Sequence, residues 1–220
     1  MKLICNFTDL YRKRDECAGE DSTLIDFRNT EGTNGYCSDE AAGMIRERLK
    51  AYPPSGVHYI DDGNHHYMTK FWIEKIQEPF DLIVFDHHTD MQPPALLPML
   101  SCGNWVLESL NSLKNLKNIL LVGPPESSLE EIESFKDRVF MISEENANKA
   151  PEEALNGAFA EFSERNNGLR PVYISVDEDV LSEAEVKTIW DQGSMTRKML
   201  DQWLEHIKDN FRVIGMDICG

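Results

Sequence analysis

Acidic residues and histidines directly after an apolar run predict a metal site. Asp86, His88 and Asp90 follow residues 82–85, which have the β-branched and aromatic composition of a buried strand. If the extended backbone continues for a few residues, alternate side chains point to the same side. Two carboxylates and an imidazole held together are costly unless a cation lies among them. Carboxylate with imidazole suits manganese, iron or zinc better than calcium or magnesium.

A second run repeats this arrangement further along the chain. Residues 172–176 predict another strand, and Asp177 and Asp179 after it share one face, with Glu178 on the other. Either run alone also fits a solvated loop, but the two together favour a site to which both strands contribute. Glu178 is then expected to pair with a basic side chain beneath the site.

Two histidines follow a third predicted strand. Residues 57–60 have strand composition, Gly63 and Asn64 mark a turn, and His65 and His66 come directly after it. All three clusters therefore fall just past the end of a strand.

Predicted strands and helices alternate from one end of the chain to the other, without an internal repeat or a linker. This pattern is typical of an α/β fold with a parallel sheet and helices on both faces. Ligands bind such sheets beyond the carboxyl ends of the strands, where the three clusters fall. Residues 8–38 lack a clear period and predict a long connection, whereas Ser38 predicts the cap of the next helix. Further helices are predicted over residues 127–135 and 151–165 and from Thr196 onwards.

The composition is that of one globular domain spanning residues 1–220, with 41% hydrophobic and 28% charged residues. The formal net charge of −17 argues against nucleic acid or an anionic membrane as a partner, because both need a basic surface. The sequence contains neither a transmembrane-length apolar stretch nor a signal peptide, so we expect a cytoplasmic protein. The five cysteines are odd in number and widely spaced, which predicts free thiols.

Three motifs resemble those of the arginase, agmatinase and formiminoglutamase family, the ureohydrolases, and indicate a divergent member. Residues 63–66 resemble the family's Gly-Asp-His-Ser, residues 86–90 its Asp-Ala-His-x-Asp, and residues 175–179 its Ser-x-Asp-x-Asp. The motifs occur in the family's order and spacing. The resemblance implies a three-layer α/β/α sandwich with a mostly parallel sheet, of the arginase and deacetylase type. The end of the chain directly after a strand suggests that a short C-terminal segment is missing.

The resemblance further implies two manganese ions that share a bridging hydroxide. By position, one ion would be held by His65, Asp86, Asp90 and Asp177, and the other by Asp86, His88, Asp177 and Asp179. Two metals lower the pKa of a shared water and hold it against the substrate, which supplies a nucleophile at neutral pH. The expected catalytic residues are Asp177, as a bridging ligand, and Asp90, as a proton relay to the leaving amine. On this mapping His66 and His87 fall outside the ligand positions.

The chain departs from the family pattern where the substrate binds. Residues 101–105 contain no histidine, where arginases carry one, and Gly220 stands at the position of a glutamate that pairs with the guanidinium. The replacement candidates for substrate contact are Asn104, Trp105, Trp190 and Asp191, since an aromatic pair with an acid can hold a cation. The alternative is that both tryptophans are core residues and Asp191 is a turn acid.

These observations predict a dimanganese hydrolase of non-peptide C–N bonds in a guanidino, amidino or related small molecule, with Zn²⁺ or Fe²⁺ as alternative metals. A zinc-dependent, deacetylase-like amidohydrolase shares the fold, but it uses a single zinc, and the complete Asp-x-His-x-Asp favours two metals. A metal-binding pseudoenzyme with a regulatory role would explain the missing histidine and glutamate. A glycosyltransferase would explain residues 177–179 only. A small-molecule substrate is the expected partner, and a homo-oligomer would be in keeping with the trimers and hexamers of the family.

Overall fold

A computed structural model describes residues 1–11, 22–94, 98–149, 151 and 157–220. Within these residues, eight strands form one sheet: β1 (Lys2–Asn6), β2 (Ser22–Asp26), β4 (Gly56–Tyr59), β5 (Phe80–Phe85), β7 (Leu116–Val122), β8 (Val139–Ile142), β9 (Val172–Asp177) and β10 (Val213–Cys219). Their order is β2-β1-β4-β10-β9-β5-β7-β8, and every neighbouring pair is parallel. Two short strands, β3 (Tyr36–Cys37) and β6 (Leu100–Ser101), pair antiparallel apart from this sheet.

Helices connect most of the strands. The α-helices of the described residues are α1 (Asp39–Leu49), α2 (Met68–Ile73), α3 (Trp105–Ser112), α4 (Leu129–Ile132), α5 (Glu144–Ala147), α6 (Ala158–Asn166) and α7 (Arg197–Asn210). Single 3₁₀ turns lie at Gly63–His65, Glu126–Ser128, Glu133–Phe135 and Glu178–Val180. None of the described helices combines the length and the apolar character that a membrane crossing needs.

Hydrophobic side chains cover both faces of the sheet and produce three layers. Along β5, Leu82 and Val84 point into the core beneath α1, α2 and α3, while Ile83 and Phe85 point into the core beneath α6 and α7. Every residue of β5 is buried, as expected for a central strand of a parallel sheet. The predicted α/β class with a parallel sheet between helix layers is therefore confirmed.

Two predicted helix starts are confirmed by their caps. At α1, Ser38 Oγ accepts a hydrogen bond from Ala41 N at 3.1 Å. At α7, Thr196 Oγ1 accepts from Met199 N at 3.2 Å. Each bond satisfies one of the backbone N–H groups that have no partner within the helix.

The long connection predicted over residues 8–38 is instead interrupted by β2 and β3. Of the residues in β2, only Ile25 is buried, because this strand lies at the edge of the sheet. A strand with one buried side chain shows no alternating apolar pattern, which explains why it was not predicted. Residues 12–21 of the same stretch lie outside the described residues.

Two of the predicted helices differ from the structure. The helix predicted over residues 127–135 is broken into the single turns around α4, where Ile132 is the one buried side chain. An amphipathic helix needs a continuous apolar stripe, and this segment does not supply one. Of the helix predicted over residues 151–165, α6 covers residues 158–165. Residues 152–156 lie outside the described part of the chain.

The cysteines of the described residues are free thiols, as predicted. They are Cys5, Cys37, Cys102 and Cys219. Cys17 lies outside the described part of the chain.

Candidate metal centre

The strand order brings the two carboxylate runs together. Strands β5 and β9 are neighbours, with Phe85 paired to Val176, so Asp86 and Asp177 come side by side at the carboxyl edge of the sheet. Gly123, directly after β7, has a φ of 120°, and a Cβ there would lie 2.5 Å from the Asp86 carbonyl oxygen. Glycine at this position lets the chain pass directly against the backbone of Asp86.

A first group of potential ligands surrounds the ring of His66. Its Nδ1 lies 3.1 Å from Asp90 Oδ2, 3.2 Å from Asp86 Oδ2 and 3.3 Å from Asp177 Oδ2. All four side chains are buried. Three carboxylates and one imidazole therefore converge on one point at the base of the site.

A second group surrounds His88 and shares Asp86 with the first. His88 Nδ1 lies 3.0 Å from Asp179 Oδ2 and 3.4 Å from Asp86 Oδ1. Backbone donors fix the carboxylates, since His88 N donates to Asp86 Oδ1 at 2.6 Å and Asp179 N donates to Asp177 Oδ1 at 3.0 Å. The two oxygens of Asp86 thus face different groups. Potential ligand atoms lie within 4.8 Å of one another in two sets: His66, Asp86 and Asp177, and Asp86, His88 and Asp179.

The structure brings His66, and not the predicted His65, to the carboxylates. The two histidines come at the end of the 3₁₀ turn Gly63–His65, where successive side chains point about 120° apart. Strand alternation therefore gives no basis for choosing between them, whereas the motif comparison selected His65. The pair of adjacent histidines was the signal that either ring was available.

His65 belongs to a separate group that holds the loop after β1. Its ring stacks on Phe7 with 4.1 Å between centroids, and its Nδ1 lies 2.8 Å from Asp62 Oδ1. The neighbouring Asp61 accepts hydrogen bonds from the backbone N of Phe7 at 2.7 Å and of Thr8 at 2.8 Å. Asp61, Asp62 and His65 lie close enough to hold an ion, but their contacts already serve this loop.

Burial and mutual repulsion raise the pKa values of three of the four carboxyl groups. Burial, together with the charge of Asp86, raises the pKa of Asp90 to about 6 and that of Asp179 to about 7. Burial, together with the charge of Asp179, raises the pKa of Asp177 well above its usual value. Burial acts on Asp86 in the same direction, but hydrogen bonds from His66 and His88 outweigh it and leave the pKa of Asp86 below its ordinary range.

The two imidazoles carry the positive charge of the group. Burial lowers the pKa of His66 and of His88, but the carboxylates around them outweigh it, so that the pKa of His66 lies well above its usual value and that of His88 rises to about 11. Among the described residues, these rings are the only basic groups within ion-pair distance of the four carboxylates. Protonating both rings cancels only half of the carboxylate charge, whereas two divalent cations cancel all of it. The donor set therefore fits two divalent cations.

A cleft of about 360 Å³ opens over both groups. Beyond the acids and histidines, its walls include the amides of Asn34, Asn64 and Gln92 and the ring of Trp190. The Trp190 ring lies edge-on to His88, with 6.0 Å between centroids. A Cβ on Gly63 would lie 2.6 Å from Trp190 Cδ1, so glycine there leaves the space that the indole occupies.

Of the four residues predicted to contact substrate, Trp190 lines this cleft and is 42% exposed. Asp191 is exposed and lines a smaller neighbouring cavity of about 200 Å³. His87, which was not expected to be a ligand, lines the same smaller cavity, and its backbone N donates to Asp179 Oδ1 at 3.0 Å. Glu178 lies on the other face with its Oε1 3.9 Å from Arg197 Nη2, which agrees with the expected basic partner.

Asn104 and Trp105 are buried and do not line the cleft, contrary to the prediction that they contact substrate. Asn104 Oδ1 accepts from Ser101 N at 2.7 Å and its Nδ2 donates to Met99 O at 2.8 Å, so its amide is used within the loop. Trp105 Nε1 donates to Asp90 Oδ2 at 2.6 Å. Trp105 therefore does not line the cleft but donates a hydrogen bond that holds the carboxylate of Asp90.

A comparison with protein families matches residues 62–220 to the Arginase family. An uncharacterized protein of Thermotoga maritima is 34% identical over 165 residues, which cover 75% of this chain and 58% of that protein. The region matched to the family, residues 62–220, contains all six side chains of the two groups.

Solved structures of the same fold include several hydrolases. The proclavaminate amidino hydrolase of Streptomyces clavuligerus superposes with a TM-score of 0.67 at 16% identity, covering 90% of this chain and 66% of that one. The arginase of Medicago truncatula gives 0.63 at 16% identity, covering 90% and 63%. The formimidoylglutamase of Bacillus subtilis gives 0.60 at 17% identity, covering 80% and 56%. The chain thus spans less than two thirds of the length of these relatives and of the Thermotoga protein.

Proposed function

This chain belongs to the arginase family, and from that premise we propose that it is a binuclear metal-dependent hydrolase of non-peptide C–N bonds. The substrates would be small linear guanidino, amidino or related compounds. Four free thiols among the described cysteines support a reducing, cytoplasmic location as part of the same proposal.

One observation carries this proposal: the two ligand groups meet at Asp86. His66 Nδ1 lies within 3.3 Å of three carboxylates, and His88 Nδ1 lies within 3.4 Å of Asp86 and Asp179. Two neighbouring sites with a shared carboxylate are the arrangement that a two-metal hydrolase needs. The cleft above them gives a small molecule access to both.

The donors are oxygen and imidazole nitrogen, which suits Mn²⁺, with Zn²⁺ or Fe²⁺ as alternatives. The proposed ligand set replaces His65 by His66. One ion would be held by His66, Asp86, Asp90 and Asp177, and the other by Asp86, His88, Asp177 and Asp179. Asp86 and Asp177 would be shared between the two.

Two bound cations would supply an activated water at neutral pH and positive charge to polarise the substrate. The water oxygen bonds to the amidine or guanidine carbon, and the bond from that carbon to the leaving nitrogen breaks. Trp105 Nε1 holds Asp90 by its Oδ2. We assign Asp90 Oδ1 to accept the proton from the water and to pass it to the leaving nitrogen. The products of a guanidine would then be urea and an amine.

Trp190 is the aromatic wall against which the substrate would lie. Its ring borders the cleft beside His88, and a planar guanidinium or amidinium is attracted to such a ring face. Asp191 lines the neighbouring cavity and would contact the distal end of a longer substrate.

The test is metal content combined with turnover. The purified chain, loaded with Mn²⁺ and freed of excess ion, is expected to hold two equivalents by elemental analysis and to release urea or amine from a panel of guanidino, amidino and formimino compounds. His66→Ala should lose metal and turnover, while His65→Ala, at the next position, should retain both.

Other outcomes would overturn the proposal. One equivalent of zinc with release of acetate from acetylated amines would indicate a deacetylase-like enzyme. Two equivalents of metal without turnover of any compound would indicate a regulatory metal-binding protein. Metal binding that depends on His65 instead of His66 would contradict the ligand set.

A further inference from the structure

A chain of buried hydrogen bonds runs from His66 away from the cleft. His66 Nε2 lies 2.9 Å from Ser175 Oγ, which donates to Asp217 Oδ1 at 2.6 Å. Thr69 Oγ1 lies 3.1 Å from Ser175 Oγ and donates to the same Asp217 oxygen at 3.2 Å. Ser175, Thr69 and Asp217 have an exposed fraction of 0%. The ring nitrogen of His66 that faces away from the cleft is thus linked to a carboxylate inside the protein.

The pairing of the sheet sets this arrangement. Strands β9 and β10 pair Ser175 with Asp217, so both side chains point to the same face, where α2 supplies Thr69. An ionised carboxylate is costly at a position without solvent. Among the described residues, no lysine, arginine or histidine lies within ion-pair distance of Asp217. The Ser175 and Thr69 hydroxyls donate to its Oδ1, and the Tyr173 hydroxyl also interacts with the carboxylate. A neutral side chain would be less costly at this position, so we expect the carboxylate of Asp217 to have a function that a neutral group lacks.

The donor and acceptor in each hydrogen bond between Asp217, Ser175 and His66 indicate this function. A carboxylate only accepts hydrogen bonds, so the Ser175 hydroxyl proton points to Asp217. The Ser175 oxygen is then left to accept, and His66 Nε2 opposite it must carry a proton. An imidazole with one proton on Nε2 has an unprotonated Nδ1, which is the atom that faces the three carboxylates of the first group.

We propose that Asp217, acting through Ser175, is a positioning residue that keeps the proton of His66 on Nε2 and so presents Nδ1 to a metal ion. The inference rests on the proposed function, because it needs an ion at His66 Nδ1. It adds a residue that lies two hydrogen bonds from the candidate ligand and does not line the cleft. A partner of this kind fixes the ring orientation and raises the basicity of the ligand, and its loss weakens metal affinity about 10- to 100-fold.

The first experiment measures Mn²⁺ binding to the full chain by calorimetry. Asp217→Asn places an amide that can donate to Ser175 and so reverse the chain of hydrogen bonds, whereas Ser175→Ala removes the link. Both variants are expected to bind the ion at the His66 site about 10- to 100-fold more weakly than wild type. Ser175→Thr, which keeps the hydroxyl, should restore most of the affinity.

Two control variants remove the same groups elsewhere. Asp81→Asn changes another wholly buried carboxylate, at the opposite end of β5, where it pairs with Arg170 at 3.1 Å. Ser109→Ala removes a buried hydroxyl that has no hydrogen-bond partner among the described residues. Both should bind Mn²⁺ as wild type does. Unchanged affinity in Asp217→Asn and Ser175→Ala, or equal losses in the controls, overturns the positioning role, whereas absence of binding in wild type overturns the proposed function as well.

The second experiment detects the proton directly on His66 of the wild-type chain, and a variant is used only to assign the signal. With ¹⁵N-labelled histidine and the diamagnetic ion Zn²⁺, the ring nitrogens of wild-type His66 should show a proton on Nε2 and none on Nδ1. The signal is assigned by its absence in His66→Ala. A proton on Nδ1, or zinc bound to Nε2, overturns the inference even where wild type binds the ion normally.

Discussion

Trp105 Nε1 donates a hydrogen bond to Asp90 Oδ2 at 2.6 Å, which places a buried indole directly behind the candidate metal centre. Asp90 has a φ of 51°, in the left-handed region that is strained for a residue other than glycine. Its carbonyl oxygen accepts a hydrogen bond from Val106 N at 3.1 Å. The first turn of α3 therefore holds both the backbone and the side chain of Asp90.

Trp105→Phe is expected to weaken Mn²⁺ binding about 10-fold at the site that Asp90 serves. The substitution keeps an aromatic ring in the core but removes the donor that orients the carboxylate. Trp72→Phe is the matched control, because Trp72 is equally buried and its Nε1 has no hydrogen-bond partner in the part of the chain that the structure describes. Calorimetric titration of both variants checks the prediction, and equal affinities would show that the indole N–H does not orient Asp90.

Trp190→Ala is expected to raise KM for a guanidino substrate while metal content stays unchanged. The loss of an aromatic wall should cost about 0.5–2 kcal/mol of binding, or about 2- to 30-fold in KM. Ile189→Ala serves as the control, since Ile189 is the adjacent residue, is 64% exposed and does not line the cleft. A fall in kcat without a change in KM would instead place Trp190 in the chemical step.

Mn²⁺ is expected to stabilise the folded chain against heat. A ligand at 100 times its Kd adds about 2.7 kcal/mol per site, and for a chain of this size each kcal/mol raises Tm by about 2–4 °C. An increase of about 5–10 °C per occupied site should therefore appear in a thermal scan and be reversed by a chelator. His66→Ala should show a smaller increase, and His65→Ala the full one. Identical increases in the two variants would argue that the ion binds elsewhere.

The meeting of the two acidic runs was predictable from sequence because it depends on the ends of two strands in a parallel sheet. A parallel sheet brings its strand ends to one edge, which places Asp86 beside Asp177. The predicted alternation does not continue past the strands, because Asp179 lies in a 3₁₀ turn and Asp90 has a φ of 51°. The choice of His66 was not predictable, because a 3₁₀ turn follows neither the strand nor the helix period.

The environments of the tryptophans were also beyond sequence reasoning. Trp105 begins helix α3 and Trp190 lies outside any helix or strand; the first is wholly buried and the second is 42% exposed. The difference arises from where α3 packs against the sheet and from the space left by Gly63, and both are tertiary relationships. Ser175 and Asp217 were likewise apparent only once β9 and β10 were paired.

His58 should make the folded chain lose stability as the pH falls. Burial, reinforced by the positive charge of Lys75, lowers the pKa of His58 to about 3, and its wholly buried ring stacks on Trp72 with 3.9 Å between centroids. Because an unfolded histidine titrates near pH 6.5, the unfolded chain binds a proton between about pH 6.5 and 3 that the folded chain excludes. His58 thus leaves the free energy of unfolding unchanged above this window and lowers it by about 1.4 kcal/mol per pH unit within it.

In denaturant titrations at pH 7.5, 6.5, 5.5 and 4.5, the free energy of unfolding should fall more steeply for wild type than for His58→Gln. Tyr173→Phe, which removes the hydroxyl 2.9 Å from His58 Nδ1 but keeps the ring, should retain the wild-type slope. Parallel slopes for wild type and His58→Gln would mean that the buried ring takes up its proton as readily as the unfolded one.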